Sequence, residues 1–222
     1  MSKYLRNKFV DACNLGQSEK SAASQSLKEL FFAACKGGNI EKIRACLTLE
    51  MDINCPNNEG QTGLMLCAFY NHWTVLEILL QQPTTDVNMK DKYLYTALHY
   101  ACTNNSTRVL NRLCRAPGVD LNIIDKYGDT ALLVAVKCNN IECVKAMGQI
   151  PGVEWNVKDM TGDAAVMVAL KNNKEDIVKF MVELPGVNLN IRDKDNKTLE
   201  QVARYVGLLF QTTVCIIFVL VK

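Results

Sequence analysis

An interval of 34 residues recurs through most of this chain and constrains its fold more than any other feature. The Asn that closes short phrases such as Asp86-Val87-Asn88 falls at Asn54, Asn88, Asn122, Asn156 and Asn190. A turn position falls at Gly60, Leu94, Gly128, Gly162 and Asn196. A small residue falls at Cys67, Ala101, Ala135, Ala169 and Ala203. Three tracks share one period and one phase. That pattern belongs to stacked repeats, each too small to bury its own apolar face.

The physics within one unit is legible. Thr62, Thr96 and Thr130 precede apolar runs, and Thr is a good N-cap because its hydroxyl accepts from the free amides of a first turn. A short first helix follows, with its small residue turned to the neighbouring unit. A second helix carries an apolar stripe at helical spacing, as in Val75, Leu76, Leu79 and Leu80. Pro83, Pro117, Pro151 and Pro185 then break the helix and turn the chain.

The run Thr96-Ala97-Leu98-His99-Tyr100-Ala101 resembles the T-P-L-H-x-A signature of ankyrin repeats, and Asp86-Val87-Asn88 and Asp120-Leu121-Asn122 resemble their hairpin phrase. The resemblance covers about residues 27–204, as five repeats and the start of a sixth near residue 195. It implies an all-α solenoid of helix-turn-helix units joined by β-hairpin loops. There are departures. The signature Pro is replaced throughout by Gly63, Ala97, Ala131, Ala165 and Leu199. Ala164 stands where Thr is expected, and Glu200 where Leu is expected. Local stability is therefore expected to decline toward the C-terminus.

Composition narrows the function. The 25 basic and 23 acidic residues nearly balance, which argues against a nucleic-acid binder. The 10 cysteines show no CxxC or zinc spacing and read as reduced core thiols of the cytosol or nucleus. His99 and His72 fall in structural slots, and Asp91, Asp125, Asp159 and Asp193 recur as hairpin-shaping residues. No phosphate loop, nucleophile elbow or metal-binding motif is present. The expectation is no enzyme, no cofactor and no metal, in a monomer that binds a partner protein. A second reading is a regulatory or targeting region of a larger, or tail-anchored, membrane or signalling protein.

The resemblance places the surface-variable slots at the hairpin tips and the end of each first helix. The expected partner-binding residues are Glu59, Phe69, Tyr70, Lys92, Tyr93, Tyr95, Lys126, Tyr127, Asp129 and Lys137. Tyr93 and Tyr127 occupy one slot a repeat apart, and the lysines form a mildly basic rim suited to an acidic segment. Ankyrin-repeat hairpin asparagines can also be hydroxylated by an iron- and 2-oxoglutarate-dependent oxygenase. Of the matching residues only Asn88 has the preferred Leu eight positions earlier, at Leu80. The alternative is that Asn88 bonds its own hairpin.

Two segments lie outside the period. Residues 1–26 read as an arm, either a helix or coil packed loosely on the first repeat or a disordered arm, with Tyr4, Leu5, Phe9, Val10 and Cys13 able to form an amphipathic helix and a Ser/Ala/Gln-rich linker at Ser18–Ser26; no apolar signal-peptide core is seen. Residues 205–221 contain 17 uncharged residues, eight of them β-branched. A helix of that length rises about 26 Å, the lower limit for a membrane span. A tail anchor, a buried cap and a truncated or misread chain end all remain open for residues 205–222.

Overall fold

The computed structural model describes residues 17–49 and 51–205. Among these residues the regular structure is helical: α1 (Gln17–Gly37), α2 (Ile40–Leu47), α3 (Gly63–Phe69), α4 (Trp73–Leu80), α5 (Ala97–Thr103), α6 (Thr107–Leu113), α7 (Ala131–Lys137), α8 (Ile141–Met147), α9 (Ala165–Lys171), α10 (Glu175–Val182) and α11 (Leu199–Tyr205). The hairpins are tight enough that single antiparallel bridges form at Ile124–Thr130, Lys158–Ala164 and Arg192–Thr198. Among the described residues no helix is long and apolar enough to cross a membrane.

First helices stack in one row, α1 on α3 on α5 on α7 on α9 on α11, and second helices in another, α2 to α10. The small track is the reason. Cys67, Ala101, Ala135, Ala169 and Ala203 are all fully buried, so neighbouring first helices approach closely there. The larger apolar side chains, such as Leu76, Leu110 and Met147, fill the space between the rows and stabilise by about 2 kcal/mol each. Gly63 departs from its Ala97, Ala131 and Ala165 counterparts for a packing reason. A Cβ on it would stand 2.5 Å from the buried Phe31 ring of α1 and 2.9 Å from the Cys35 sulfur.

The helix caps are partly as expected. Thr62 and Thr130 accept from Met65 and Leu133 amides, whereas Ala164 makes no side-chain cap. Thr198 and Gln201 form a reciprocal capping box at the start of α11. The turn track has positive φ at every position: Gly60 82°, Leu94 63°, Gly128 77°, Gly162 82° and Asn196 61°. A fourth track was not anticipated. Asn71, Asn105, Asn139 and Asn173 also have positive φ, just beyond each first helix, a backbone region that Asn tolerates better than most residues.

Two sequence expectations are corrected. The stretch Ser18–Ser26, expected as a linker, belongs to α1, which begins at Gln17; residues 1–16 lie outside the described residues. Ser26 and its neighbours continue into an Ala- and Leu-containing run whose Leu27 and Phe31 pack into the core, and tertiary burial overrides a weak local preference. The side chains of Asn54, Asn88, Asn122 and Asn156 do not bond their own hairpins but reach the next repeat. The Asn88 amide donates to Gly118 O at 2.8 Å, and its oxygen accepts from Asp120 N at 2.9 Å. Asn54, Asn122 and Asn156 each bond the repeat that follows in the same way. The tail readings at 206–222 lie outside the described residues.

Seven cysteines from Cys35 to Cys143 are buried thiols, and Cys138 is exposed.

Candidate partner-binding face

Each hairpin is shaped by one side-chain oxygen. Asp91 Oδ1 accepts from Tyr93 N at 2.8 Å and Tyr95 N at 2.9 Å. Asp125, Asp159 and Asp193 repeat this arrangement, and Asn57 does so in the first hairpin. Successive tips are bonded through their backbones, Lys92 N to Glu59 O, Lys126 N to Tyr93 O and Met160 N to Tyr127 O. With the main chain satisfied, the tip side chains are left to solvent. Tyr93 is 46% exposed and Tyr127 is 51% exposed. Lys126 joins them, its ammonium 3.8 Å from the Tyr93 ring centre and 5.0 Å from that of Tyr127.

The other expected residues separate into rim and floor. Glu59, Tyr70, Lys92 and Lys137 are exposed. Phe69 is half-buried, edge-on to Tyr70 and Tyr100. Tyr95 is half-buried, stacked on His99 with centroids 5.2 Å apart. Asp129 is buried, so it shapes the floor and its carboxylate is engaged by Lys137. Asn88 is half-buried with its side-chain amide bonded on both sides, so an oxygenase would have to open that hairpin first.

The floor changes chemistry along its length. Toward the C-terminus, Lys137 Nζ lies 2.6 Å from Asp129 Oδ1 and 3.0 Å from Asp159 Oδ2, linking two repeats. Lys171 repeats this with Asp163 at 2.8 Å and Asp193 at 3.1 Å. Burial opposes the charge on both lysines, but the paired carboxylates outweigh it and hold their pKa values above the ordinary lysine value. Burial also opposes ionisation of Asp159, where bonds from Thr161 and Lys137 win and hold the carboxyl low. At Asp129 burial wins, and the carboxyl is pushed up despite Lys137.

Toward the N-terminus the slot of Asp129 and Asp163 holds the neutral Gln61 and Tyr95, and Thr103 stands in the slot of Lys137 and Lys171. Gln61 donates to the Tyr100 hydroxyl at 2.7 Å, which donates to Asp91 Oδ2 at 2.6 Å. His99 spans to the next repeat: Thr96 N donates to Nδ1 at 3.1 Å, and Nε2 faces Asp129 O at 3.0 Å. With Nδ1 accepting, the proton belongs on Nε2. Burial lowers the His99 pKa and keeps the ring neutral. His72 is likewise structural, with Nε2 2.8 Å from Lys36 O.

Family comparison agrees with this geometry. Three family models, described as ankyrin repeats (3 copies), ankyrin repeats (many copies) and ankyrin repeat, match residues 10–91, 81–133 and 127–160. The chain belongs to the ankyrin-repeat family. It is similar to the ankyrin repeat protein YahD of Escherichia coli (strain K12), 28% identical over 82 residues, covering 36% of this chain and 40% of that protein. It is similar to the E3 ubiquitin-protein ligase XBAT33 of Arabidopsis thaliana, 36% identical over 46% of this chain and 20% of that protein. It is similar to osteoclast-stimulating factor 1 of Danio rerio, 33% identical over 30% of this chain and 31% of that protein. The chain thus spans less than half the length of each of these relatives. Ankyrin repeats are generally protein–protein interaction modules. In this one, the floor ladder is the feature that single-motif reading misses; its sequence signals are the 34-residue alignments of Gln61, Tyr95, Asp129, Asp163 and Lys197 and of Lys137 with Lys171.

Proposed function

We propose that this ankyrin-repeat chain is a non-catalytic interaction module that seats a partner segment along the hairpin tips and first helices of repeats two to four. The observation that carries this reading is the pair Tyr93 and Tyr127, half exposed on consecutive tips with Lys126 between them. Exposed tyrosine joins a large apolar area to a polar tip at low entropic cost and recurs at interface hot spots. Lys92 and Lys126 supply a basic rim that favours an acidic segment. Once a partner has been captured by pull-down and mass spectrometry, Tyr93→Ala with Tyr127→Ala should weaken binding at least ~30-fold, about 2 kcal/mol, with little change in thermal stability. Unchanged affinity with an intact fold would move the site, first of all to the second-helix row, where Arg108 lies 3.5 Å from the Trp73 ring centre.

The second reading is an ankyrin region that serves a larger protein. It is favoured by the relatives, in which the matched repeats make up 40% of the protein or less. Carbonate-resistant membrane association of a soluble reporter fused to residues 203–222 would support the membrane form of it.

A further inference from the structure

Three consecutive hairpins carry apolar side chains in slots that the other repeats give to polar residues or glycine. Leu94 stands where Gly60, Gly128, Gly162 and Asn196 stand. Ile124 stands where Lys90, Lys158 and Arg192 stand, and Met160 where Asn58, Lys92, Lys126 and Lys194 stand. Folding does not hide them: Ile124 is 49% exposed, Met160 is 76% exposed, and Leu94 is exposed as well. Leu94 is also held at φ 63°, a left-handed turn that glycine adopts freely and that a Cβ makes costly. An exposed side chain kept on a strained backbone points outside the fold for its contribution.

These residues form a line. The tips are bonded in series, Lys126 N to Tyr93 O and Met160 N to Tyr127 O, and the Lys126 ammonium lies 3.8 Å from the Tyr93 ring centre. With Tyr93 and Tyr127 the line holds five of the eight exposed large apolar side chains among the described residues, so it is a patch and not a scatter. Its exposed charges have one sign. Across residues 90–94, 124–128 and 158–162 they are Lys90, Lys92, Lys126 and Lys158, whereas Asp91, Asp125 and Asp159 are buried.

We propose that this ridge is a docking site for an anionic membrane surface. Leu94, Ile124 and Met160 enter the interfacial layer, Tyr93 and Tyr127 lie at headgroup level, and the four lysines meet the lipid phosphates and carboxylates. A bilayer fits the ridge better than a protein segment does. Leu94 and Met160 lie in the turns and Ile124 at their base, outside the half-buried floor rings Phe69, Tyr95 and Tyr100 along which a segment would lie. A plane reaches three separate tips at once. Lysines without an exposed acid among them suit a continuous negative surface. The contact is peripheral and needs no spanning helix. It goes beyond the partner-segment reading and does not depend on it.

The test is flotation of the full chain with phosphatidylcholine vesicles containing about 30% phosphatidylserine, against phosphatidylcholine alone. The wild type should bind the anionic vesicles at least ~10-fold more tightly, and about 0.5 M salt should release it. The deciding variant is Leu94→Gly with Ile124→Lys and Met160→Lys, which installs residues that other repeats already use in these slots. It adds two positive charges, so attraction by charge alone would strengthen binding, whereas loss of the inserted apolar groups should weaken it at least ~10-fold. Leu94→Gly alone should weaken binding about 3-fold while raising the melting temperature, which separates lost binding from lost fold. Lys92→Glu with Lys126→Glu should abolish flotation. Residues 206–222 are common to every variant, so binding through them would appear as equal flotation throughout. The partner-segment reading fails separately, because vesicles contain no protein and the triple variant retains Tyr93 and Tyr127. Equal flotation with neutral and anionic vesicles, no flotation with either, or an undiminished triple variant would overturn the proposal. So would a triple variant that loses a captured acidic protein partner when the wild type binds no vesicles, which would give the ridge to a protein segment.

Discussion

Repeats two to four and repeats four to six hold their hairpin carboxylates with opposite chemistry. In the N-terminal stretch the floor is held by rings and neutral donors: Gln61, Tyr95, His99 and Tyr100 around Asp91 and Asp125. In the C-terminal stretch it is held by Lys137 and Lys171, each clamping two carboxylates from consecutive repeats. One repeat beyond Lys171 the acid position holds Lys197 and the lysine position holds Tyr205, with the ammonium 4.9 Å from the ring centre. The difference shows that a solenoid can hold its inter-repeat geometry with either kind of bond, because the hairpins and the small-residue track already set the spacing. It also separates roles. The clamped stretch uses its polar groups within the array, while the neutral stretch presents exposed tyrosines at its tips.

His99→Ala should break the comparison most sharply. The ring is buried and bonds Thr96 and the next repeat's Asp129 O, so its loss leaves a cavity and unpaired backbone groups, about 3 kcal/mol by urea denaturation. The same residue sets a pH window. Its folded pKa lies below the ordinary 6.5, so the unfolded chain binds the proton more readily. The stability it contributes is complete above about pH 6.5 and falls as pH decreases below it. Wild type should lose stability there, and the variant should show a flatter profile. The clamped stretch has a different window: the Asp159 carboxyl is held below 3.8, so its contribution persists until more acidic pH and is lost only as pH falls through the folded value.

Lys137→Met should cost about 2 kcal/mol, again by urea denaturation, because it leaves Asp129 and Asp159 buried without their cation. The side chain is 36% exposed, which keeps the effect below that of a fully buried pair. A cost confined to the C-terminal repeats would sharpen the contrast, and no measurable cost would remove it.

The smallest effect lies in the neutral stretch. Leu94 holds φ of 63° where its counterparts are Gly60, Gly128 and Gly162, and its side chain is 43% exposed. Leu94→Gly should raise stability by about 1 kcal/mol in the same assay, since the left-handed region costs a side-chain-bearing residue about that much. A lower melting temperature would show that the exposed leucine contributes packing that its accessibility conceals.

The expected decline in stability toward the C-terminus meets two opposing features. Ala164 does lack a cap, but Thr198 and Gln201 form a full box and the lysine clamps lie in this half. The sequence reading weighed each repeat against a consensus phrase, and a phrase cannot register bonds made between repeats. The same limit hid the asparagine ladder. The Asn88 position is legible from the period, but its partners, Gly118 and Asp120, lie 30 and 32 residues away. The Asp129 slot reads as surface along the chain because it varies between repeats, whereas its burial beside Lys137 is a property of the neighbours.

By itself the sequence determined the all-α repeat architecture, its period, the turn positions and the tip tyrosines. Those features are local: a helix stripe, a cap, a left-handed turn and a helix-breaking proline act within a few residues and recur at a fixed interval. Only the tertiary structure decided which polar groups meet across repeats and that Gly63 makes room for Phe31. Those outcomes depend on side chains brought together from separate repeats, and a reading along the chain has no distance at which to see them.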